Sequence, residues 1–170
     1  MRIPVSRLRA LDEDSVRWCA RRRSAPLDAA AKTISRGGVA GLPWVVVGAL
    51  MARRAASPAL AARNALAVWS AFAASTGVAR LVRRRRPCAR WTRVALLDYP
   101  DSPSFPSDQA AAAFAGAVTL SLAAGKLRPP LLLAATVNAL ARVYAGLHYP
   151  SDAVAGALLG AACGRVAARF

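Results

Sequence analysis

His148 is the only histidine among 170 residues, and it stands in ARVYAGLHYPSD, residues 141–152, with Arg142 six positions before it and Asp152 four after. An imidazole that attacks an electrophile needs a lone pair on one ring nitrogen and a partner that holds the other, so that one tautomer is presented. A carboxylate at Asp152 would fix that tautomer and stabilise the positive charge that develops on the ring. A guanidinium at Arg142 offers a planar, permanently charged fork suited to phosphate oxygens. The set therefore points to attack on phosphorus, giving a phosphohistidine that water hydrolyses. A buried structural histidine is the competing reading.

Two further polar clusters interrupt the apolar sequence: RLVRRRRP at residues 80–87 and SFPSDQ at residues 104–109. The first supplies Arg86. The second reads as a helix start, with free backbone N–H groups around Ser107 and Asp108 that suit an anion. Pro150 keeps Tyr149 out of helical geometry, which places His148 in a turn and Asp152 near the next helix start.

What must position these clusters is a set of five apolar runs, residues 37–52, 64–79, 109–125, 131–147 and 153–168. Each is slightly shorter than the roughly 20 residues that cross a typical bilayer, and flanking arginines can snorkel to make up the difference. The expected fold is all-α, a polytopic membrane helix bundle with about five transmembrane helices, multi-pass in the cell membrane. With five alternating spans, the end of the second, the start of the third, the end of the fourth and the start of the fifth share one side. All three polar clusters can then meet. Gly156, Gly160 and Gly164 repeat every four residues along the fifth run, a stripe for close helix packing within the chain; pairing of two copies into a homo-oligomer is the alternative use.

Composition agrees. The chain is 56% hydrophobic yet formally +16, with arginine clusters lying between long apolar runs. That is the pattern of a membrane protein with basic ends and loops. Nucleic-acid binding would fit the charge, but no basic stripe interleaved with aromatics is present. Cys19, Cys88 and Cys163 are too scattered for a zinc site or a disulfide framework, so neither metal nor cofactor is expected. Residues 1–36 carry nine basic and four acidic residues and read as an interfacial amphipathic helix or a solvated tail, with residues 37–170 as the membrane-embedded domain. They lack the continuous apolar stretch of a cleaved signal peptide.

Together these residues resemble the type 2 phosphatidic acid phosphatase superfamily, over about residues 79–165. The family pattern is lysine, six residues, Arg-Pro; then Pro-Ser-Gly-His; then Ser-Arg, five residues, His, three residues, Asp. Arg142, His148 and Asp152 match the third part, with Ala141 in place of serine. The resemblance implies His148 as nucleophile, Asp152 as its orienter and Arg142 as a phosphate ligand. Arg86-Pro87 match the first part, while the lysine position falls on Ala79 and Arg80 stands one residue later as a substitute cation. In the second part Pro106 and Ser107 match, Asp108 takes the glycine position, and Gln109 takes that of the histidine that protonates the leaving group.

Glutamine cannot donate that proton. An alcohol leaving group needs a general acid worth roughly 100-fold or more, whereas phosphate, with a second pKa of about 6, leaves unaided. An isoprenoid or polyprenyl diphosphate is therefore the expected substrate. A lipid-linked sugar phosphate is the second possibility, and a catalytically impaired relative that binds lipid phosphates the third. The expected partners are the bilayer and a lipid phosphate or diphosphate. Positive charge concentrates on the site side, with nine basic residues in residues 1–36 and six from Arg83 to Arg93, against seven on the opposite side. The positive-inside rule then faces the site toward the cytoplasm.

Overall fold

The computed structural model describes residues 5–98 and 101–170, and every regular element among them is helical. The helices are α1 (Val5–Arg21), α2 (Ala25–Gly37), α3 (Leu42–Arg54), α4 (Pro58–Val82), the single turn α5 (Pro87–Arg90), α6 (Asp108–Ala123), α7 (Arg128–Tyr144) and α8 (Pro150–Ala167). Proline occupies the first turn of α2, α3, α4, α5, α7 and α8. There its missing N–H leaves nothing unsatisfied and its fixed φ suits a helix start.

Five of these helices correspond to the five apolar runs, with shifted ends. The first run does not begin a helix at residue 37, because Gly41 takes a left-handed conformation (φ 72°) and α3 starts only at Leu42. α4 is longer than its run, 25 residues, since Pro58 starts it early and Arg80 continues it. By length and composition, the stretch Pro58–Arg90 is long and apolar enough to cross a membrane, and α2 with α3 passes as one bent span. α6, α7 and α8 have 16, 17 and 18 residues; at 1.5 Å per residue they fall a little short of the roughly 30 Å hydrocarbon core.

The packing inverts the pattern of a water-soluble bundle. Ala67 and Ala71 of α4 and Ala110, Ala111, Ala112, Ala113, Ala115 and Ala117 of α6 are fully buried. Leu66 and Trp69 on α4, Leu122 on α6, Leu133 and Leu140 on α7, and Leu158 on α8 are half or more exposed. Small residues inside and large apolar ones outside suit helices surrounded by lipid, where association depends on close backbone approach.

α6 is the central helix, packed by α4, α7, α8 and α3. Its seam with α8 is the closest. A Cβ at Gly156 would collide with the Ser107 carbonyl, one at Gly160 with the Ala111 carbonyl, and one at Gly164 would lie 2.7 Å from the Ala115 carbonyl. The glycine stripe thus serves contact within the chain. Its register, advancing four residues on both helices, makes α6 and α8 parallel with adjacent N-termini. At that same end, α1 packs on α7 and α8, and α2 on α7. Val16 of α1 joins Val94 and Tyr149 in an apolar cluster, and Tyr144 Oη donates to Asp28 Oδ1 of α2 at 2.7 Å.

Candidate active site

The end of α7 turns sharply at Gly146, whose φ is 73° and whose missing Cβ lets the Val94 carbonyl approach. Either a left-handed φ or that contact would disfavour any other residue. The turn is stitched down by Leu147 N–H to the Arg142 carbonyl (3.1 Å) and by Cys88 N–H to the Gly146 carbonyl (3.0 Å). His148 follows, fully buried, in the loop before α8.

Its tautomer follows from its neighbours. Arg86 Nη1 lies 3.0 Å from His148 Nε2, and a guanidinium can only donate. Nε2 is therefore the acceptor, and Nδ1 carries the hydrogen, which it gives to the Ser104 carbonyl at 2.7 Å. Burial first, then the positive charges of Arg86 and Arg142, hold the imidazole well below its usual 6.5, so the ring is neutral at physiological pH. A neutral ring keeps a lone pair at Nε2, here accepting from Arg86, and that is the form of imidazole that can attack phosphorus once an anion takes the guanidinium's hydrogen bond.

Asp152 orients this ring differently from the direct hydrogen bond expected. Its carboxylate lies 3.9 Å from Nδ1. Oδ2 instead accepts from Tyr149 N–H at 2.9 Å and from the Ser104 hydroxyl, and Oδ1 accepts from Arg84 Nη1 at 2.7 Å. Ser104 stands between the two, its hydroxyl on Asp152 and its carbonyl on the imidazole. The carboxylate's lone pairs are occupied by the start of its own helix, and a backbone carbonyl fills the place at Nδ1.

Arg86 is almost fully buried and uses its whole fork. Nη1 also donates to the Leu147 carbonyl (3.0 Å), Nε to the Ser102 carbonyl (2.8 Å) and Nη2 to Ser102 Oγ (3.0 Å). Arg142 is buried too. Its Nη1 donates to the Ser35 carbonyl of α2 at 3.2 Å, and its Nε is buried with no partner among the described residues. A buried guanidinium N–H with no partner among the described residues is an open donor for an anion. Ser107 caps α6, accepting from Ala110 N–H at 3.3 Å, and its own N–H donates to the Asp152 carbonyl at 3.0 Å.

The remaining expected residues make no hydrogen bond to the ring, whose partners are Arg86 and Ser104. Asp108 Oδ1 accepts from Gln109 N–H at 2.7 Å, and both side chains are half-buried in the first turn of α6. Gln109 faces the α2–α3 connection, where a Cβ on Gly38 would come within 2.9 Å of its Oε1. Arg80 is exposed and lines a separate basic pocket beside Arg86 rather than the imidazole. Ala79, at the family's lysine position, is buried.

Three residues outside the sequence motifs complete the site. Arg84 bridges two buried carboxylates, donating to Asp152 and, through Nη2, to Asp12 Oδ2 at 2.8 Å, while its guanidinium stacks on Tyr149 at 4.0 Å. Asp12, from α1, also accepts from Ser151 N–H (2.9 Å) and Ser151 Oγ (2.5 Å). Ser104 is the third. It lay in a cluster the sequence marked as polar; Arg84 was hidden among four consecutive arginines, and Asp12 gave no signal within a basic segment.

Residues 44–170 match the PAP2 superfamily. The chain is 34% identical over 142 residues to decaprenylphosphoryl-5-phosphoribose phosphatase of Mycobacterium tuberculosis, covering 81% of this chain and 77% of that one. To the protein of the same name in Mycolicibacterium smegmatis it is 36% identical over 130 residues, 74% and 69% of the two chains. The fold is shared with the transmembrane PAP2-type phosphatidylglycerolphosphate phosphatase of Bacillus subtilis (TM-score 0.78, 20% identity, 98% of this chain and 87% of that one). It is shared also with LpxE of Aquifex aeolicus (TM-score 0.76, 24% identity, 94% and 96%). Helical membrane fold, matched sequence and a neutral histidine among arginines converge: the chain belongs to the PAP2 superfamily, the type 2 phosphatidic acid phosphatases.

Proposed function

We propose that this chain is a multi-pass membrane phosphatase that removes the terminal phosphate of a polyprenyl-linked sugar phosphate through a phosphohistidine at His148. The observation that carries the chemistry is the neutral His148, with Nδ1 held by Ser104 and Nε2 by Arg86. When a phosphate enters, its oxygens replace Nε2 as acceptor for Arg86 Nη1, and Arg142 Nε gains a partner. Nε2 then forms the N–P bond as the bond from phosphorus to the leaving oxygen breaks. Water next attacks phosphorus, cleaving the N–P bond and releasing inorganic phosphate. Asp152 acts through Ser104 to keep the imidazole in place and to offset its charge in the intermediate.

The identity to the two mycobacterial relatives favours the phosphosugar lipid as substrate. Gln109 favours a second reading, a polyprenyl diphosphate, because a departing phosphate needs no proton. With the sugar phosphate, Asp108 or a water bound beside it must supply the proton that Gln109 cannot. Phosphate release from a polyprenylphosphoryl-5-phosphoribose, a polyprenyl diphosphate, phosphatidate and phosphatidylglycerophosphate, each with wild type and His148→Ala, tests both. The fastest turnover on the phosphoribosyl lipid supports the first reading; turnover confined to the diphosphate replaces it with the second. Equal release by wild type and His148→Ala would sink the enzymatic reading altogether.

In this reading α3, α4, α6, α7 and α8 are the five spans, and the site lies at one membrane face, a reading supported by the shared end of α6 and α8. The basic loops, and α1 docked at that face, argue for the cytoplasmic side. Reporter fusions at Lys126 and at each terminus test this, and a cytoplasmic signal at Lys126 would reverse the orientation.

A further inference from the structure

Four consecutive arginines follow α4, and the structure separates them into two kinds. Arg84 and Arg86 are engaged with Asp12, Asp152, Ser102 and His148. Arg83 and Arg85 are exposed, and among the described residues neither they nor Arg80 makes an ion pair. These three, with Arg84 and Arg86, line a cavity of about 480 Å³ that Asp101, Ser102 and Pro103 also line.

Arg86 is the wall between this cavity and the nucleophile. One edge of its guanidinium reaches His148, and the other is fixed by Ser102, which also lines the cavity. Arg83 is held for the task by an unusual backbone: it is left-handed (φ 50°) at the end of α4, an uncommon state for a residue with a Cβ, and its Nε donates to the Arg80 carbonyl at 3.0 Å. Arg84 is compensated by Asp12 and Asp152, but Arg80, Arg83 and Arg85 form no ion pair among the described residues, which leaves the cavity an excess of positive charge.

The same corner borders the lipid-facing surface. Leu81 and Val82, between Arg80 and Arg83, are 84% and 50% exposed. An anion held by Arg80, Arg83 and Arg85 would therefore lie where a chain could pass directly onto an apolar helix face. A polyprenylphosphoryl sugar phosphate has such an anion: its non-reacting phosphodiester is the last polar group before the hydrocarbon.

We propose that the cavity lined by Arg80, Arg83 and Arg85 is a second phosphate subsite, which binds the non-reacting phosphodiester of the substrate while His148 attacks the terminal phosphate. This rests on the proposed substrate class, and it assigns to the arginine run a selection for lipids that carry two separated phosphates.

The test uses the full chain in neutral detergent micelles and an Arg83→Gln/Arg85→Gln double variant. Two substrates are compared: a polyprenylphosphoryl-5-phosphoribose, and the same lipid with its phosphodiester replaced by a neutral ether. The variant should raise KM for the first roughly tenfold or more, as loss of charge-assisted contacts implies, while KM for the neutral-linked lipid moves less than twofold. Equal shifts on both lipids would overturn the subsite.

A second measurement does not depend on that lipid being the substrate. Polyprenylphosphoryl ribose, which keeps only the phosphodiester, is titrated as an inhibitor of whichever phosphomonoester the wild type hydrolyses. It should inhibit more tightly than its ether analogue, and the double variant should erase the difference. No difference in wild type overturns the subsite, whereas a clear difference with no turnover of the phosphoribosyl lipid overturns only the assigned substrate. Repeating the inhibition in vesicles with and without phosphatidylglycerol separates the sources of phosphate. An effect of the double variant seen only with the anionic lipid would mean that these arginines bind bulk headgroups, and would also overturn the subsite.

Discussion

Around His148 each ring nitrogen has a partner, and those partners are themselves fixed: Ser104 by Asp152, Arg86 by Ser102, Asp152 by Arg84 and the start of α8. At the start of α6, Asp108 and Gln109 are half-buried, and Gln109 rests against a glycine in a connection between helices. The imidazole side is therefore rigid and determined, while the side around Asp108 and Gln109 is loosely held. A site of this kind keeps its reaction and leaves the departing group open to change, since altering residues around Gln109 disturbs no hydrogen bond on which the imidazole depends.

The largest effect that would break this contrast is at His148. His148→Ala should lower kcat to background, a loss of roughly 10⁴-fold or more, and rapid-quench labelling should no longer trap a phosphorylated protein. Next is Arg84→Gln, which leaves Asp12 and Asp152 without their shared cation. Stranding buried carboxylates costs about 3 kcal/mol or more, so melting should fall by several degrees and kcat by roughly tenfold, with KM little changed. A loss confined to stability would mean that the α1 clamp does not position the catalytic groups.

Gln109→His sharpens the comparison from the other side. Restoring a proton donor should raise kcat on an alcohol-leaving phosphate roughly 10- to 100-fold and leave a diphosphate nearly unaffected. The smallest effect concerns pH. The folded His148 sits well below 6.5, so kcat/KM should show no acid limb from this group near 6.5, only at lower pH. The unfolded chain, with an ordinary histidine, binds the extra proton first as pH falls. The contribution of neutral His148 to stability is therefore present above about 6.5 and declines below it. Melting temperatures of wild type and His148→Gln across pH 5–8 should diverge accordingly.

Much of this was legible in the sequence, for identifiable reasons. The spacing of Arg142, His148 and Asp152 is local, and it survives folding because Pro150 starts α8 two residues after the histidine. Gly156, Gly160 and Gly164 announced a close seam, though not that α6 would fill it. What escaped was non-local or carried by the backbone. Ser104 holds the imidazole with its main-chain carbonyl, which any residue type possesses. Within RRRR, alternation of engaged and exposed side chains follows from a left-handed turn at Arg83 that no periodicity reveals. Asp12 reaches Ser151 across 139 positions, from a helix whose charge pattern suggested only a membrane surface.

The parallel seam of α6 and α8 has a consequence beyond packing. It brings two helix N-termini to one point, each carrying about half a positive elementary charge from its aligned peptide dipoles. That field does not distinguish the phosphate of a substrate from the phosphate just released. Inorganic phosphate should accordingly linger in the site, so that product departure rather than bond cleavage governs turnover, and accumulating phosphate slows the protein that makes it.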